Sequence, residues 1–365
     1  MAEVLTEDIA CEELQKIFDR NSAPLIIFGT GTSCAVDETF GMQALRCHLE
    51  NKIGMYKLDS VQKQQWTRVI EDLNNGTDFE KAMNNVVEER LCKIVIRETA
   101  SLLINKEKDI AFKLLTGRIK WPAIGFFKYL LSKRINDALH VVTTNYDCLA
   151  EYAFTFADIP YITGYSYGIC GKLDWNRAYE SMASYEKLSS GKKTYKRRLH
   201  SRHICLYKIH GSLNSFKTEN DIIEINSLMY MNELPKEVER FMVTPGTAKY
   251  EKLLTGKSAL LERFSNQRDR HSFFLFIGFG LNDSHIMNSD MKSKLMVKGC
   301  PAVILTKCIN HNIKEYMESC ENLWTVYSAD NGSGTNIYNC KYDNILRLEC
   351  NYWEADKFCK KFLGG

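Results

Sequence analysis

Apolar and polar positions fall into two patterns along this chain. Short unbroken apolar runs end in glycine or polar turns, and a long stretch of helical periodicity separates the first two of these runs. The first run, Leu25-Ile26-Ile27-Phe28, stops at Gly29-Thr30-Gly31-Thr32-Ser33. A strand covered on both faces reads as a continuous apolar run, so this stretch predicts a buried strand of a parallel sheet. The pattern returns at His140 to Thr144, Ile204 to Ile209, Phe273 to Ile277, Ala302 to Leu305 and Trp324 to Tyr327. Such strands predict an α/β fold: a Rossmann-like, doubly wound parallel sheet with a helical insertion domain. Ligands of such sheets bind beyond the carboxyl ends of the strands.

The helical pattern is expected in three places. Residues 1–24 hold a short helix, Glu7 to Phe18, ahead of the turn Asn21-Ser22-Ala23-Pro24. The insertion runs from about 44 to 138, and Phe40-Gly41-Met42-Gln43-Ala44-Leu45-Arg46 before it reads as a lid or a second helix start. Within it, Thr77 and Glu80 have capping-box spacing. Phe79, Met83, Val86, Val87, Leu91 and Ile94 follow at helical spacing, which predicts one continuous helix. Pro122 suits the first turn of a further helix after Trp121. Cys148 to Phe156 is another helical run. The sheet-bearing domain is expected over 25–330, with a C-terminal extension at 331–365 made of a loop, Asn331-Gly332-Ser333-Gly334, and an amphipathic helix, Trp353 to Phe362.

Composition narrows the classes. A chain with 45% hydrophobic and 25% charged residues is of ordinary globular type. Its net charge of +3 is too small to make nucleic acid a main partner. No apolar stretch reaches the ~18 residues of a membrane span, and the N-terminus Met-Ala-Glu-Val-Leu-Thr-Glu-Asp is acidic, unlike a signal peptide, so a cytoplasmic protein is expected. The 13 cysteines include no CxxC pair. An odd number scattered through apolar segments fits reduced thiols packed as small hydrophobes, and no metal is expected. The basic run Lys192 to His203 could dock nucleic acid, a phosphate-bearing ligand or an acidic partner, but such runs are usually solvated loops.

Four strand ends carry candidate chemistry: Gly29-Thr30-Gly31-Thr32-Ser33, Thr143-Thr144-Asn145-Tyr146-Asp147, Lys208-Ile209-His210-Gly211-Ser212 and Gly278-Phe279-Gly280-Leu281-Asn282-Asp283. Singly, each has a plain explanation. The glycine turn is GxGxS, short of a full dinucleotide fingerprint. Asp147 can cap the helix it precedes, and His210 can be a satisfied histidine at a turn.

Together and in this order, the four strand ends resemble the sirtuin family over about residues 22–330. The departures are also informative. Protein-deacylating sirtuins carry a zinc ribbon with two paired-cysteine motifs after the His-Gly element, and this chain has none. They follow the glycine loop with a Gly-Ile-Pro-Asp-Phe-Arg-like run, where this chain has Gly41-Met42-Gln43-Ala44-Leu45. No match to the strand that cradles an acyl-lysine peptide is found. The helical insertion, the aromatic in Thr-Thr-Asn-Tyr-Asp, the stretch Pro245-Gly246-Thr247-Ala248-Lys249 and the GxGxxD element look like the sirtuin-like NAD hydrolases of bacterial anti-phage defence.

That resemblance implies NAD as the substrate. Nicotinamide is a cationic leaving group in NAD, so its loss has oxocarbenium character and needs held phosphates, a positioned water or ribose hydroxyl, and a base. Gly29, Thr30, Gly31 and Ser33 would hold the pyrophosphate through a close backbone and a helix N-terminus, with Thr144 beside them. Asn145, donor and acceptor at once, would orient the ribose and the water. His210, with an unperturbed pKa of roughly 6.5, is the general-base candidate. Asp147 would orient this centre or cap its helix. Gly278 and Gly280 would admit the adenosine half, and Asp283 would meet a ribose hydroxyl or a loop backbone.

Two other classes compete with hydrolysis. One is transfer of ADP-ribose to an acyl-lysine or another acceptor. The other is a module that senses NAD or ADP-ribose without cleaving it, which would need neither Asn145 nor His210. A dehydrogenase would want an acidic residue about 20 positions after the glycine turn at a strand end, where Glu50 lies in a helical stretch. The resemblance further implies activation by assembly or by a partner: a homo-oligomer, and a separate ATPase or helicase-like protein.

Overall fold

A computed structural model of the chain describes residues 3–133, 138–190, 193–243, 257–330 and 332–365. Helix α1 (Glu7–Arg20) is capped by Thr6, whose hydroxyl accepts from the Ile9 amide, and leads into β1 (Leu25–Phe28). The short helix α2 (Thr30–Cys34) follows. The expected helical insertion comes next, as α3 (Met42–Ile53), α4 (Ser60–Asn74), α5 (Phe79–Met83), α6 (Glu89–Leu115) and α7 (Ile124–Lys133), before β2 (Ala138–Thr143). Helix α8 (Leu149–Phe156) leads to β3 (Tyr161–Ile162) and β4 (Gly171–Lys172). A hairpin of β5 (Ala183–Ser190) and β6 (Lys193–His200) precedes β7 (His203–Lys208). Then come β8 (Gly211–Lys217), β9 (Ile222–Glu224), β10 (Glu239–Met242) and β11 (Phe274–Ile277). The chain closes through β12 (Ala302–Thr306), β13 (Leu323–Asp330), β14 (Ser333–Tyr338) and β15 (Leu346–Leu348).

The main sheet has nine strands in the order β15-β14-β13-β12-β11-β1-β2-β7-β3. The run from β13 to β3 is parallel throughout, and β14 and β15 add antiparallel at one edge. The chain enters at β1, builds outward through β2 and β7, then returns to the other side of β1 with β11. The strand order therefore reverses between β1 and β11, and a crevice opens at such a switch point. Strands β1, β11, β12 and β7 are buried at every residue, which is why each reads as an unbroken apolar run. A second sheet, β10-β8-β9-β4, sits beyond β7.

The structure corrects four local expectations. The helix foreseen from Thr77 to Ile94 is broken after Met83. Asp78, not Thr77, takes the cap, and the amides of Val87 and Glu88, left without helical partners, both donate to Gln65 Oε1. The basic run 192–203 is largely strand: residues 191–192 lie outside the described residues, but 193–200 form β6. Tyr185 faces Arg198, and Glu186 faces Arg197, across the hairpin. The stretch from Asn331 contains β14, and only Gly332 remains as turn, Asn331 itself lying outside the described residues. Pro245 to Lys249 also lie outside them. The C-terminal helix starts at Ala355 rather than Trp353 and continues as a π-turn at Cys359–Leu363, packed on α1. All 13 cysteines are free, but only Cys92, Cys148, Cys205, Cys320 and Cys359 are buried, while Cys47, Cys170, Cys308 and Cys350 are exposed. Among the described residues, no helix is long and apolar enough to cross a membrane.

Gly211 shows how tightly β8 is turned out of β7. Its φ is +74°, and a Cβ there would lie 1.8 Å from the Phe241 carbonyl oxygen on β10. Gly211→Ala is expected to cost roughly 3 kcal/mol or more, combining backbone strain and clash. A urea titration read by far-UV circular dichroism checks this; an unchanged midpoint would contradict the packing.

Candidate functional site

Beyond the carboxyl ends of β1, β2, β7 and β11 lies a cavity of about 490 Å³. Two close approaches shape its floor. The loops after β1 and β11 touch through glycines: a Cβ on Gly31 would sit 2.7 Å from Gly278 Cα and O, and Gly278 itself has φ +56°. The amides of Gly29 and Gly31 donate to Ile277 O and Gly278 O, which locks the loops together.

The predicted residues divide between lining and support. Gly29, Thr30, Thr144 and Asn145 line the cavity, as do Asp147, His210, Gly280 and Asp283. Gly31, Ser33 and Gly278 stand behind that surface. Ser33 is buried, and its hydroxyl donates to Asp147 Oδ2 at 2.9 Å while accepting from Asn145 Nδ2 at 3.0 Å. Asn145 is 3% exposed; its Nδ2 also donates to Gly29 O at 3.1 Å. That orientation leaves Asn145 Oδ1 buried with no donor among the described residues. Asp147 Oδ1 accepts from the Leu149 amide at the start of α8, while its Oδ2 accepts from the Ser33 hydroxyl.

A buried charge group supports these strand ends. Lys208, at the end of β7, sends its ammonium to Glu151 Oε1 at 2.6 Å and to the Asp147 carbonyl at 2.5 Å. Burial works against this ammonium, but Cys148, Glu151 and Asp147 around it raise its pKa above the ordinary lysine value. Burial pushes the Asp147 carboxyl up, opposed by Lys208 and the Ser33 hydroxyl. Glu107, reaching in from α6, accepts from the Cys148 amide and is pushed well up by burial and by Asp147. A carboxyl in that setting keeps its proton.

His210 and Asp283 form the other close pair. His210 Nε2 lies 3.0 Å from Asp283 Oδ2, a close contact without hydrogen-bond alignment. The other carboxylate oxygen, Oδ1, accepts from the His285 and Ile286 amides. Burial alone would raise the Asp283 carboxyl, but His210, His285 and the Ile286 amide hold it well below the usual carboxylate range. The insertion and the β12 loop supply residues that the sequence reading did not assign to the site: Glu80, Asn310, Asn312 and, from the β11 loop, His285. Two signals for them were present, since His285 lies two positions past Asp283 and Glu80 belongs to the motif read as a cap. Among the described residues no cluster of three or more His, Cys, Asp or Glu could hold a metal ion.

Residues 139–294 match the family model of the SIR2-like domain. This segment contains the Asn145, His210 and Asp283 strand ends but begins after the glycine loop and the insertion. No curated protein matches the chain. Among solved structures, the chain is similar to Sir2Tm bound to a propionylated peptide, at 11% identity over 87% of this chain and 92% of that one, with a TM-score of 0.38. It is similar at 12% identity to a Sir2–p53 peptide–NAD+ complex, over 88% and 93% of the two chains, with a TM-score of 0.40. Overlap at this level leaves the strand order above as the description of the fold.

Two outcomes are expected. Lys208→Met should destabilise the fold by about 3–5 kcal/mol, because Glu151 then stays buried without its cation. Pairing it with Glu151→Gln should recover part of that loss in chemical denaturation, and strictly additive losses would refute the coupling. Asp283 titrates lower in the folded state, so its contribution is present above its ordinary pKa of 3.8 and fades as pH falls below it. The stability gap between the parent and Asp283→Asn should therefore be full above about pH 5, begin to narrow as the pH falls below 3.8, and remain open at about pH 3.

Proposed function

We propose that the cavity is the active site of an NAD glycohydrolase, which cleaves NAD to nicotinamide and ADP-ribose. The observation that carries this reading is Asn145. Its amide nitrogen is tied down twice, while its Oδ1, on a residue that lines the cavity, is a buried acceptor with no donor among the described residues. Leaving such an acceptor unpaired costs about 1–3 kcal/mol, so the site suits a ligand that brings a hydroxyl. The ribose of NAD, or the water that attacks it, is such a donor. The SIR2-like match over 139–294 and the switch-point position of the cavity support a dinucleotide in this crevice.

In this reading the residues divide the work. Gly29 and Thr30 present the rim of the glycine loop to the pyrophosphate, and Gly280 lets the adenosine half approach. The bond from the ribose C1′ to the nicotinamide nitrogen breaks with its electron pair going to nicotinamide. Asn145 Oδ1 holds the incoming water, whose oxygen bonds to C1′ and whose proton passes to His210. Asp283, ionised, faces the imidazole at Nε2 and stabilises the imidazolium that forms. Asp147 acts behind this centre by holding Ser33, and through it Asn145. The defence role, the homo-oligomer and an activating ATPase-like partner rest on the resemblance read from the sequence.

Nicotinamide release from NAD by the purified protein tests the reading, beside Asn145→Ala and His210→Ala proteins shown to be folded. Loss of about 10²-fold or more is expected in each variant. Release only in the presence of an acetylated peptide would favour acyl transfer. Binding of NAD without release, even within the native assembly, would favour a sensor.

A further inference from the structure

A second cavity, of about 410 Å³, lies away from the strand ends and shares no lining residue with the first. It opens between the last turn of α6, the start of α7, the end of α8 and the C-terminal helix. Ile119, Trp121, Ile124, Ala153 and Phe156 give it apolar walls. Lys120, Lys128 and Lys360 also line it, and all three are exposed.

We propose that this cavity is a binding site for a medium-chain alkanoate, an apolar chain that ends in a carboxylate. The inference is independent of NAD and of the first cavity.

Three observations carry it. The first concerns the chain. Phe156 lines the cavity while 49% exposed, so its ring, like the aliphatic walls, gains from contact with an alkyl chain. The volume is near the small end of the roughly 300–1,000 Å³ usual for organic ligands, which sets the chain at medium length.

The second concerns charge. Asp356 is the acidic side chain at this cavity, and its Oδ1 already accepts from the Phe126 amide at 2.9 Å, in the first turn of α7. The nearby Lys357 and Lys361 pair with Glu354 and Glu7, whereas Lys120, Lys128 and Lys360 form no ion pair among the described residues. Three lysines without a counter-charge, grouped around apolar walls, complement a single anionic head. Ammonium groups on flexible stems can meet such a head without a fixed geometry.

The third is an unmet donor. Trp121 is 1% exposed, and its indole N–H is buried with no acceptor among the described residues. A buried indole N–H normally has a partner. A carboxylate oxygen is a strong acceptor. A hydrocarbon or an organic cation would leave both the N–H and the lysines unanswered.

Calorimetric titration of the full chain with sodium decanoate, below its micelle concentration, tests the proposal. Saturable binding of one decanoate per chain is expected, about tenfold or more tighter than binding of decanol, which lacks the charge. Lys120→Gln, Lys128→Gln and Lys360→Gln combined should weaken it about tenfold or more. Trp121→Phe keeps an apolar ring but removes the donor, and should weaken it about threefold or more. Ala157→Leu, which fills the cavity from the end of α8, should abolish it. Lys81→Gln, which removes a lysine lining the first cavity, should leave it unchanged. Each variant is first shown to be folded by far-UV circular dichroism. Absence of saturable binding, equal affinity for decanol, or undiminished binding in any of the three second-cavity proteins would overturn the proposal. Loss of binding in Lys81→Gln would overturn it as well, by placing the decanoate in the first cavity.

Discussion

The arrangement of the cavity depends on one buried ammonium. Lys208 stands where the ends of β2 and β7 meet the start of α8, and it neutralises Glu151 while gripping the main chain at Asp147. Without it, the carboxylates of Asp147 and Glu151 would repel each other in a medium that screens poorly. With it, Asp147 can stay in place to hold Ser33, Ser33 can receive Asn145, and Asn145 is left with a single orientation. A side chain outside the cavity thus determines which atom of Asn145 meets a ligand. Buried charge used this way contributes geometry more than stability.

The second constraint is backbone contact. Strands β1 and β11 are neighbours in the sheet but far apart in sequence, and the loops leaving them would collide if either carried a side chain at the contact. Gly31 and Gly278 meet there. This explains why two residues expected to face a ligand are found behind the surface: their small size serves loop against loop, and the neighbouring Gly29 and Gly280 are the ones that line the cavity.

The buried strands of the parallel core were legible because doubly covered strands leave unbroken apolar runs such as Phe274–Ile277, whereas their order and the strands of the two smaller sheets were not. The polar residues at their ends followed from the rule that such sheets bind ligands there. Other features were hidden for physical reasons. The break between Met83 and Glu89 depends on Gln65, on a different helix, accepting the amides of Val87 and Glu88, which no local pattern shows. Glu80 was read as a helix cap because its place on the cavity wall depends on strand ends distant in sequence, such as that of Asp283. The hairpin at 183–200 was obscured by its own charge, since a basic run looks solvated whether or not it pairs with a strand.

That hairpin also bears on how the whole molecule behaves electrically. Residues 183–200 contain six lysines and arginines and one glutamate, against a total of +3 for the chain. The remainder is consequently net acidic, although the isoelectric point of the whole chain is about 8.1. Retention on a cation-exchange resin at neutral pH would report the concentrated positive charge of this segment more than the near-neutral remainder.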